Sequence, residues 1–286
     1  MPSLADAIRC LDELYEPAWA QPWDAVGLVC GDPAAAVQRV LFAVDPVGVV
    51  AAEAVEWGAD LVVAHHPLFL RAVHGVPATT PKGRVVHTLL TSGVALYVAH
   101  TNADVASPGV SDALARALGL TPIAPLVRTD ATGEVGTPGA GRGLGRVCKL
   151  EVPEPLSAFL ERVRIGLPAT TQGIRVAGDL DRVVRTVAVS GGAGDDNFAA
   201  ARAAGVDLYL TADLRHHPAS ESRESGDLVL VDVAHWSSEW PWLGEAATLL
   251  RERLAAVGDT VEIRVSQIIT DPWSAHFAYS TGHSIS

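Results

Sequence analysis

Histidine and carboxylate side chains closely follow three apolar segments of the 286-residue sequence. The segments are LVVA (61–64), ALYVA (95–99) and LVLVDV (228–233), and the side chains that follow them are His65, His66, His100, Asp104, His235 and Glu239. Imidazole and carboxylate ligands without sulfur suit a catalytic or regulatory site for zinc, iron, manganese, nickel or cobalt rather than a structural zinc knuckle. We therefore predict a centre of two divalent metal ions (zinc, iron or manganese) held by His65, His66, Asp104, His235 and Glu239.

The spacing within each segment limits how these ligands converge. Neighbouring side chains on a regular strand point to opposite faces, so His65 and His66 share a centre only where the strand ends, and Pro67 favours such an ending. His235 and Glu239 are four residues apart, and a short turn from strand to helix would direct both inward. A carboxylate in that position could bridge two metal ions about 3.5–4 Å apart.

The helix that carries Glu239 is predicted to begin at about Ser238 and to end near Val257. Ser238 would then be the N-cap, and Pro241 would lie in the first turn, where its missing N–H is harmless.

Alternative roles exist for each of these side chains. A lone histidine at a strand end is more often hydrogen-bonded or exposed than metal-bound, and their combination is what indicates a metal site. Asp104 could instead cap the following helix. His100 and Asp104 could be two ligands, or one ligand and the partner that orients it. If His100 is not a ligand, it is a candidate proton donor to a leaving group.

Short apolar strands alternate with Ala-rich helices over most of the chain. Continuous apolar strands separated by helices indicate parallel pairing with helices on both faces, so we predict an α/β fold with mostly parallel sheets. Residues 128–145 are rich in Gly, Thr and charge, which predicts a linker. The predicted organisation is an N-terminal lobe (1–127), the linker (128–145) and a C-terminal lobe (146–286), with the metal site between the lobes.

The two halves also resemble each other weakly. FAVD (42–45), an Ala-rich helix and GADLVVAHH match VAVS (187–190), an Ala-rich helix and GVDLYLTAD. Duplicated units usually pack around a pseudo-axis, although generic strand–helix–strand similarity is an equal alternative.

Three further motifs have both a functional and a structural interpretation. SGGAGDD (190–196) could cradle a phosphate, but it lacks a P-loop lysine, and its two aspartates would oppose an anion, so a tight strand-to-helix turn is favoured. Trp236, Trp240 and Trp242 could stack on a base, although packing is commoner at this spacing. Asp213, His216 and His217 could form a second polar cluster or lie in a solvated loop and helix start.

Composition excludes several classes of protein. The formal net charge is −12, and basic residues form no cluster, which argues against nucleic acid and anionic membranes as partners but not against a small anionic substrate. The three cysteines are widely spaced, which fits a reducing cytoplasm. The N-terminus has no secretory pattern, and no apolar run approaches the length of a membrane span.

These motifs together resemble the Nif-three-like family, whose members are often named GTP cyclohydrolase 1 type 2 homologues. The resemblance covers nearly the whole chain. Its motifs are WDAVGL (23–28), HHPL (65–68), HTNADVASPGVSDALARALGL (100–120), GLGRV (143–147), VSGGAG (189–194), TADLRHH (211–217), HWSSE (235–239) and DPW (271–273).

The resemblance implies a two-lobed subunit, a toroidal homohexamer built as a trimer of dimers, and a dinuclear site at the five predicted ligand positions. All five match. Departures lie beside them, because Ala25 stands where the family commonly has Asn, and Ala212 and Ala234 stand where it has Gly. No large insertion separates the halves.

Two functions are compatible with this sequence. The first is a metal-dependent hydrolase that acts on a purine nucleotide or a related phosphorylated small molecule. The second is a non-enzymatic ring protein that binds metal or has a regulatory role. The cyclohydrolase name rests on a minority of the family's members, and a shared fold does not fix a reaction.

Overall fold

The computed structural model describes residues 1–129 and 141–277. Within them lie eleven strands and nine α-helices, numbered in chain order. The strands are β1 (Gly27–Cys30), β2 (Arg39–Ala43), β3 (Leu61–Ala64), β4 (Ala95–Val98), β5 (Thr121–Arg128), β6 (Gly143–Pro155), β7 (Arg175–Ala177), β8 (Val183–Ala193), β9 (Leu208–Ala212), β10 (Val229–Val233) and β11 (Glu262–Val265). The helices are α1 (Leu4–Leu14), α2 (Gly48–Trp57), α3 (Pro81–Thr91), α4 (Thr101–Val105), α5 (Val110–Ala117), α6 (Leu156–Gly166), α7 (Phe198–Ala203), α8 (His216–Glu224) and α9 (His235–Ala256).

The strands form two sheets, and the predicted α/β class is confirmed. The first sheet has the order β1-β4-β3-β2-β11, in which only β1 is antiparallel to its neighbour. The second has the order β5-β6-β8-β9-β10-β7, with parallel pairing in its centre (β8, β9 and β10) and antiparallel pairing on both sides. Parallel pairing therefore occurs where the apolar strands alternate with helices, as their patterns predict.

Each face of the first sheet is covered by helices. Along β2, Val40 and Phe42 face a core that contains α1 and α9, whereas Leu41 and Ala43 face the opposite core with α2 and α3. This alternation is the two-residue period of a strand that is buried on both faces. The second sheet is covered in the same way, by α5 and α6 on one face and by α7 and α8 on the other.

Sheet membership differs from the predicted division of the chain into 1–127 and 146–286. β11 belongs to the first sheet, where it pairs with β2 in parallel, although it lies near the C-terminus. β5 belongs to the second sheet, although it precedes the predicted linker. Apolar patterning predicts strands but carries little information about which distant strand will be the partner.

The predicted linker 128–145 lies between two neighbouring strands of the second sheet. β5 and β6 are antiparallel neighbours, and Arg128 pairs with Gly143 at the open end of their ladder. Residues 130–140, which form most of that linker, lie outside the described residues.

The first helix, α1, begins with a capping box. The Ser3 hydroxyl accepts the Asp6 N–H, and the Asp6 carboxylate accepts the Ser3 N–H, which together make a capping box. Such a cap typically contributes about 1 kcal/mol to stability.

The weak internal repeat corresponds to a shared structural device. In the first half, Asp60 Oδ2 accepts the N–H groups of Gln38 and Arg39, where β2 begins (2.7 and 2.8 Å). In the second half, Asp207 Oδ2 accepts the N–H groups of Arg185 and Thr186 in β8 (2.8 and 3.0 Å). Both aspartates precede the next parallel strand, so the two strand–helix–strand units are secured in the same way.

Among the described helices, none combines the length and apolar content that crossing a bilayer requires.

Candidate metal centre

The paired histidines lie where β3 ends. The N–H groups of His65 and His66 extend the ladder with β2 by donating to the carbonyl oxygens of Ala43 and Val44 (3.1 and 2.8 Å). Their ring centroids nevertheless lie only 5.1 Å apart, so the two imidazoles share one region instead of facing opposite sides of the sheet. Pro67 follows directly, in agreement with the prediction that the strand must end at this point.

His235 and Glu239 lie one turn apart on the same face of α9. His235 Nε2 is 3.0 Å from Glu239 Oε1, and a separation of four residues brings side chains together on a helix. The predicted helix start at Ser238 is wrong. α9 begins at His235 with Ala234 as its N-cap, so Pro241 lies inside the helix. The Ser238 hydroxyl lies within the helix, where it donates to the His235 carbonyl oxygen and accepts the Gly192 N–H.

The three predicted histidines, His65, His66 and His235, meet around the Glu239 carboxylate. Glu239 Oε1 lies 3.4 Å from His65 Nε2, and Oε2 lies 3.0 Å from His66 Nε2. Asp104 is more peripheral, with Oδ1 3.7 Å from His65 Nε2. Residues from β3, α4 and α9 therefore converge at one edge of the first sheet, as expected for strand ends in an open α/β fold.

Hydrogen bonds fix which nitrogen of each imidazole faces this centre. His66 Nδ1 donates to Asp45 Oδ1, and His235 Nδ1 donates to Asp213 Oδ2, each at 2.7 Å. His65 Nδ1 lies 2.9 Å from the Ala99 carbonyl oxygen, which can only accept, so Nδ1 must carry the proton. In the neutral form, each ring consequently presents the lone pair of Nε2 to the centre, as metal-binding histidines do when a second group orients them.

The contacts at the centre lack hydrogen-bond donors when the imidazoles are neutral. His66 Nε2 and His235 Nε2 lie 3.2 Å apart, and His65 Nε2 faces carboxylate oxygens. Among the described residues, His65 Nε2 and Glu239 Oε2 are buried without a hydrogen-bond partner, and the 3.0 Å approach of Oε2 to His66 is not aligned as a hydrogen bond. Buried acceptors that face one another are destabilising unless a cation lies between them, so the donor set fits a divalent metal ion.

Protons on the imidazoles can supply positive charge to this cluster. Burial alone would lower the pKa of both rings, but Glu239 with Asp45 raises the pKa of His66 to about 10, and Glu239 with Asp213 raises that of His235 to about 11. Burial would raise the pKa of Glu239, but the three histidines hold it well below its usual value. Burial raises the pKa of Asp104, which has weaker compensation from the imidazoles.

His100 lies beside the cluster and has its own carboxylate partner. Its Nδ1 is 3.0 Å from both oxygens of Asp24, whose side chain is fully buried. Burial would raise the pKa of Asp24, but hydrogen bonds from His100 and Thr101 outweigh it and hold that pKa well below its usual value, so the carboxylate is an ionised acceptor. His65, His66 and His100 have ligand atoms within 4.8 Å of one another, as do His66, His235 and Glu239. The described residues thus contain His and Glu groups that could hold a metal.

Close backbone approach makes room for Glu239. Gly192 has a φ of +67°, and a Cβ at this position would lie 2.5 Å from Glu239 Oε1 and 3.2 Å from His235 Nε2. β8 continues through Ala193, so Gly191 and Gly192 lie within the strand, and the predicted strand-to-helix turn begins only at Gly194. Because Gly191 and Gly192 have no side chains, the Glu239 side chain can pack against this strand.

The remaining sequence candidates separate into different environments. Trp242 is buried, donates to the Tyr15 hydroxyl (3.1 Å) and packs against the His65 ring, and Trp240 donates to the Ser266 carbonyl oxygen (3.1 Å). Trp236 is buried and lines the cavity described next. Asp213 does not join His216 and His217, because it pairs with His235 instead. The two histidines are exposed on the first turn of α8.

A cavity of about 520 Å³ opens beside the cluster. Its walls include imidazoles of the cluster, their carboxylate partners and the segment after β11. The lining residues are Asp45, His66, Pro67, Leu70, Lys82, His100, Gln172, Asp213, His235, Trp236, Thr270, Asp271, Pro272 and Trp273.

Sequence reasoning missed the carboxylates that orient the imidazoles. Asp24, Asp45 and Asp213 come from three separate segments, and none has a fixed spacing from the histidine it binds. Asp213 has one available signal, which is its place at the end of the β9 strand pattern. Its φ of +56° is a left-handed conformation that aspartate tolerates better than most residues.

The three departures from the family pattern fit their positions. Ala234 has a φ of −66°, so its backbone does not require glycine. Ala212 is buried in β9, where it pairs with Val233 of β10. Ala25 follows Asp24 and donates its N–H to that carboxylate (2.8 Å).

Known proteins share this chain's sequence and fold. The GTP cyclohydrolase 1 type 2 homolog of Streptomyces coelicolor is 54% identical over 278 residues, which cover 97% of this chain and 96% of that protein. The protein of the same name from Mycobacterium tuberculosis is 39% identical, and the alignment covers 95% and 96% of the two chains. The crystal structure of a Bacillus cereus protein related to NIF3 matches with a TM-score of 0.86 and 26% identity over 96% and 99% of the chains. A family profile, Duf34/NIF3 (NGG1p interacting factor 3), matches residues 2–272, and the chain therefore belongs to the Duf34/NIF3 family.

Proposed function

We propose that this protein binds two divalent metal ions through His65, His66, Asp104, His235 and Glu239. We also propose that it is a metal-dependent hydrolase acting on a purine nucleotide or a related phosphorylated small molecule. The proposal rests on three imidazole Nε2 atoms that meet buried carboxylate oxygens. Two atoms of this cluster, His65 Nε2 and Glu239 Oε2, have no hydrogen-bond partner among the described residues.

Glu239 is the natural bridging ligand. Its carboxylate lies within 3.0–3.4 Å of all three histidines, whereas Asp104 approaches only His65. One ion would bind His66, His235 and Glu239, and the other would bind His65 and Asp104 and share Glu239. Asp45 and Asp213 would keep the Nε2 lone pairs directed inward.

When bound, divalent ions supply Lewis acidity and lower the pKa of a water molecule towards neutrality. The protein's own residues provide the surroundings for that chemistry. Asp24 holds the proton of His100 on Nδ1, so Nε2 faces the region of His65 and His66. His100 is either a further ligand or, when doubly protonated, the proton donor to a leaving nitrogen or oxygen.

The adjoining cavity supports a hydrolase over a non-enzymatic ring protein that binds metal or has a regulatory role. A volume of about 520 Å³ is within the range of small-molecule sites. The relatives named GTP cyclohydrolase 1 type 2 homolog support a nucleotide as the first substrate class to test. Lys82 at the cavity wall offers a positive charge to a phosphate.

A cytoplasmic homohexameric ring belongs to the same proposal, and the resemblance of the sequence motifs supports it. Light scattering on the purified protein should give six times the subunit mass. A monomer or dimer at micromolar concentration would remove this part of the proposal without affecting the metal ligands.

The hydrolase proposal is tested by turnover after metal reconstitution. Protein purified without an affinity tag is loaded separately with zinc, manganese and iron(II), and is assayed with GTP and simple phosphoesters. Glu239→Ala provides the background rate. We expect metal-dependent hydrolysis well above that background, and equal rates for the two proteins under every metal would contradict the proposal.

A further inference from the structure

The segment that follows β11 forms part of the cavity mouth and is tied to the metal cluster. The Ser266 N–H donates to the Phe42 carbonyl oxygen (2.8 Å), which fixes the start of the segment. The Thr270 hydroxyl donates to Asp45, the same carboxylate that orients His66. The next residues, DPW (271–273), are therefore held at the cavity rather than left free on the surface.

Asp271 has an acceptor that no described residue satisfies. Its Oδ2 atom is buried and has no hydrogen-bond partner among the described residues, and its side chain lines the cavity. A carboxylate oxygen accepts up to two hydrogen bonds, and a buried one without a donor is destabilising. A ligand that brings an N–H or O–H group into the cavity would remove this penalty.

Trp273 offers a flat surface two residues further along. Its side chain is 65% exposed and lines the same cavity. An indole left largely open to solvent at a cavity mouth is suited to stacking on a planar ring. Trp273 differs in this from Trp240 and Trp242, whose N–H groups are used within the protein.

Charged side chains of both signs line the cavity. Asp45, Asp213 and Asp271 give the wall acidic groups, which favour hydrogen-bond donors on a ligand. Lys82 is the only lysine or arginine among the described lining residues, so an anionic group is favoured beside it.

We propose that Asp271 and Trp273 are specificity-determining residues that select a planar heterocycle with adjacent N–H donors, of the kind found on the amide and amino edge of guanine. Asp271 accepts the donors, Trp273 stacks on the ring, and Lys82 receives an anionic substituent. This inference rests on the proposed function, because it names the substrate class of the same site.

Equilibrium binding tests the inference without requiring turnover. Guanosine 5′-monophosphate and inosine 5′-monophosphate differ only in the 2-amino group, and their affinities for manganese-loaded protein are measured by isothermal titration calorimetry. We expect the guanosine nucleotide to bind about 10-fold more tightly, as for a hydrogen bond to a charged acceptor. Asp271→Asn should abolish that difference, and Asp227→Asn, a change at an exposed aspartate outside the cavity, should preserve it.

The aromatic contribution is tested in the same assay. Trp273→Leu should weaken both nucleotides by about 10-fold or more, whereas Trp273→Phe should retain most of the affinity because it keeps an aromatic face. Circular dichroism and thermal melting show whether each variant remains folded.

Equal affinity of the wild-type protein for the two nucleotides would overturn the inference. So would discrimination that survives Asp271→Asn, or a lack of binding at millimolar nucleotide. Metal content and turnover are measured on the same preparations. If the protein distinguishes the two nucleotides but hydrolyses neither, the hydrolase proposal is rejected and the roles of Asp271 and Trp273 remain supported. If it hydrolyses nucleotides without distinguishing them, the roles of Asp271 and Trp273 are rejected and the hydrolase proposal remains supported.

Discussion

Two segments of this protein have nearly the same pattern and different environments. AHTNAD (99–104) follows β4, and AHWSSE (234–239) follows β10. In each, a histidine at the start of a helix precedes an acid by four residues, and its Nδ1 is hydrogen-bonded to an aspartate from another segment, Asp24 for His100 and Asp213 for His235.

The difference lies in how far each acid reaches. Glu239 has one more methylene than Asp104, is 3% exposed and contacts three histidines, whereas Asp104 is partly exposed and approaches His65 at 3.7 Å. Gly192 makes space for the longer side chain. The same His-x-x-x-acid spacing therefore places one acid at the centre of the histidine cluster and the other at its edge.

Removing each acid in turn gives the largest expected contrast. Glu239→Gln should lose both metal ions, with affinity reduced by more than the roughly 10- to 100-fold typical of a residue that only orients a ligand. Asp104→Asn should lose one ion and retain the other. Elemental analysis after reconstitution with excess manganese measures the stoichiometry. Equal metal content in the two variants would show that Glu239 and Asp104 contribute equally to metal binding.

The sequence predicted that these side chains come together, because they follow strands. His65, His66 and Glu239 were selected through apolar patterns that end in imidazole and carboxylate side chains, and parallel strands bring such ends to one edge. The start of α9 was placed three residues late because Ser238 resembles an N-cap, whereas Ala234 holds that position without a side-chain hydrogen bond.

Other parts of the site and fold could not be predicted from local patterns. Asp24 and Asp45 act through contacts with residues distant in sequence, and no spacing rule connects them with His100 and His66. β11 joins the first sheet across more than 200 residues of chain from β2, its neighbour. Periodicity describes a segment, whereas partner choice depends on packing of the whole molecule.

The second contrast is between Asp213 and Asp24, the aspartates that accept hydrogen bonds from His235 and His100. Asp213→Asn should weaken metal binding by about 10- to 100-fold, because the amide no longer fixes the inward-facing lone pair of His235. Asp24→Asn should have a smaller effect on the first ion bound if His100 is a proton donor, and a similar effect if His100 is a ligand. Titration with a fluorescent chelator as competitor measures both affinities. Wild-type affinity in Asp213→Asn would contradict the orienting role.

The space beside Glu239 is tested with two glycines of similar backbone conformation. Gly192 and Gly93 have φ values of +67° and +71°, but an added Cβ meets Glu239 at the first and nothing within 4 Å at the second. Gly93→Ala should therefore cost only the backbone strain, about 1 kcal/mol. Gly192→Ala should destabilise more and also lower metal content. Urea unfolding and elemental analysis provide the two readouts, and equal effects would show that close approach to Glu239 is unimportant.

The smallest expected effect is the release of protons from His66 and His235 when metal binds. Without metal, the pKa values of His66 and His235 are raised to about 10 and 11, so both rings are protonated at pH 8. Metal binding at that pH should release about two protons, which calorimetry in buffers of different ionisation enthalpy counts. The affinity should fall as the pH falls.

The same pKa values set the stability of the metal-free protein. A pKa raised on folding contributes stability that is complete below the unfolded value of 6.5 and is lost as the pH rises through the folded value. The metal-free protein should therefore lose stability progressively from about pH 6.5 to about pH 11, and the metal-loaded protein should lose less. Identical pH profiles for the two forms would contradict this assignment.

Anomalous scattering at the manganese edge, from crystals grown with excess Mn²⁺, would locate metal ions bound at the proposed centre. We expect two peaks about 3.5–4 Å apart among His65, His66, Asp104, His235 and Glu239, with the Glu239 carboxylate in contact with both. Crystals that diffract well and show no peak within this cluster, although Mn²⁺ is in excess, would contradict the proposed centre.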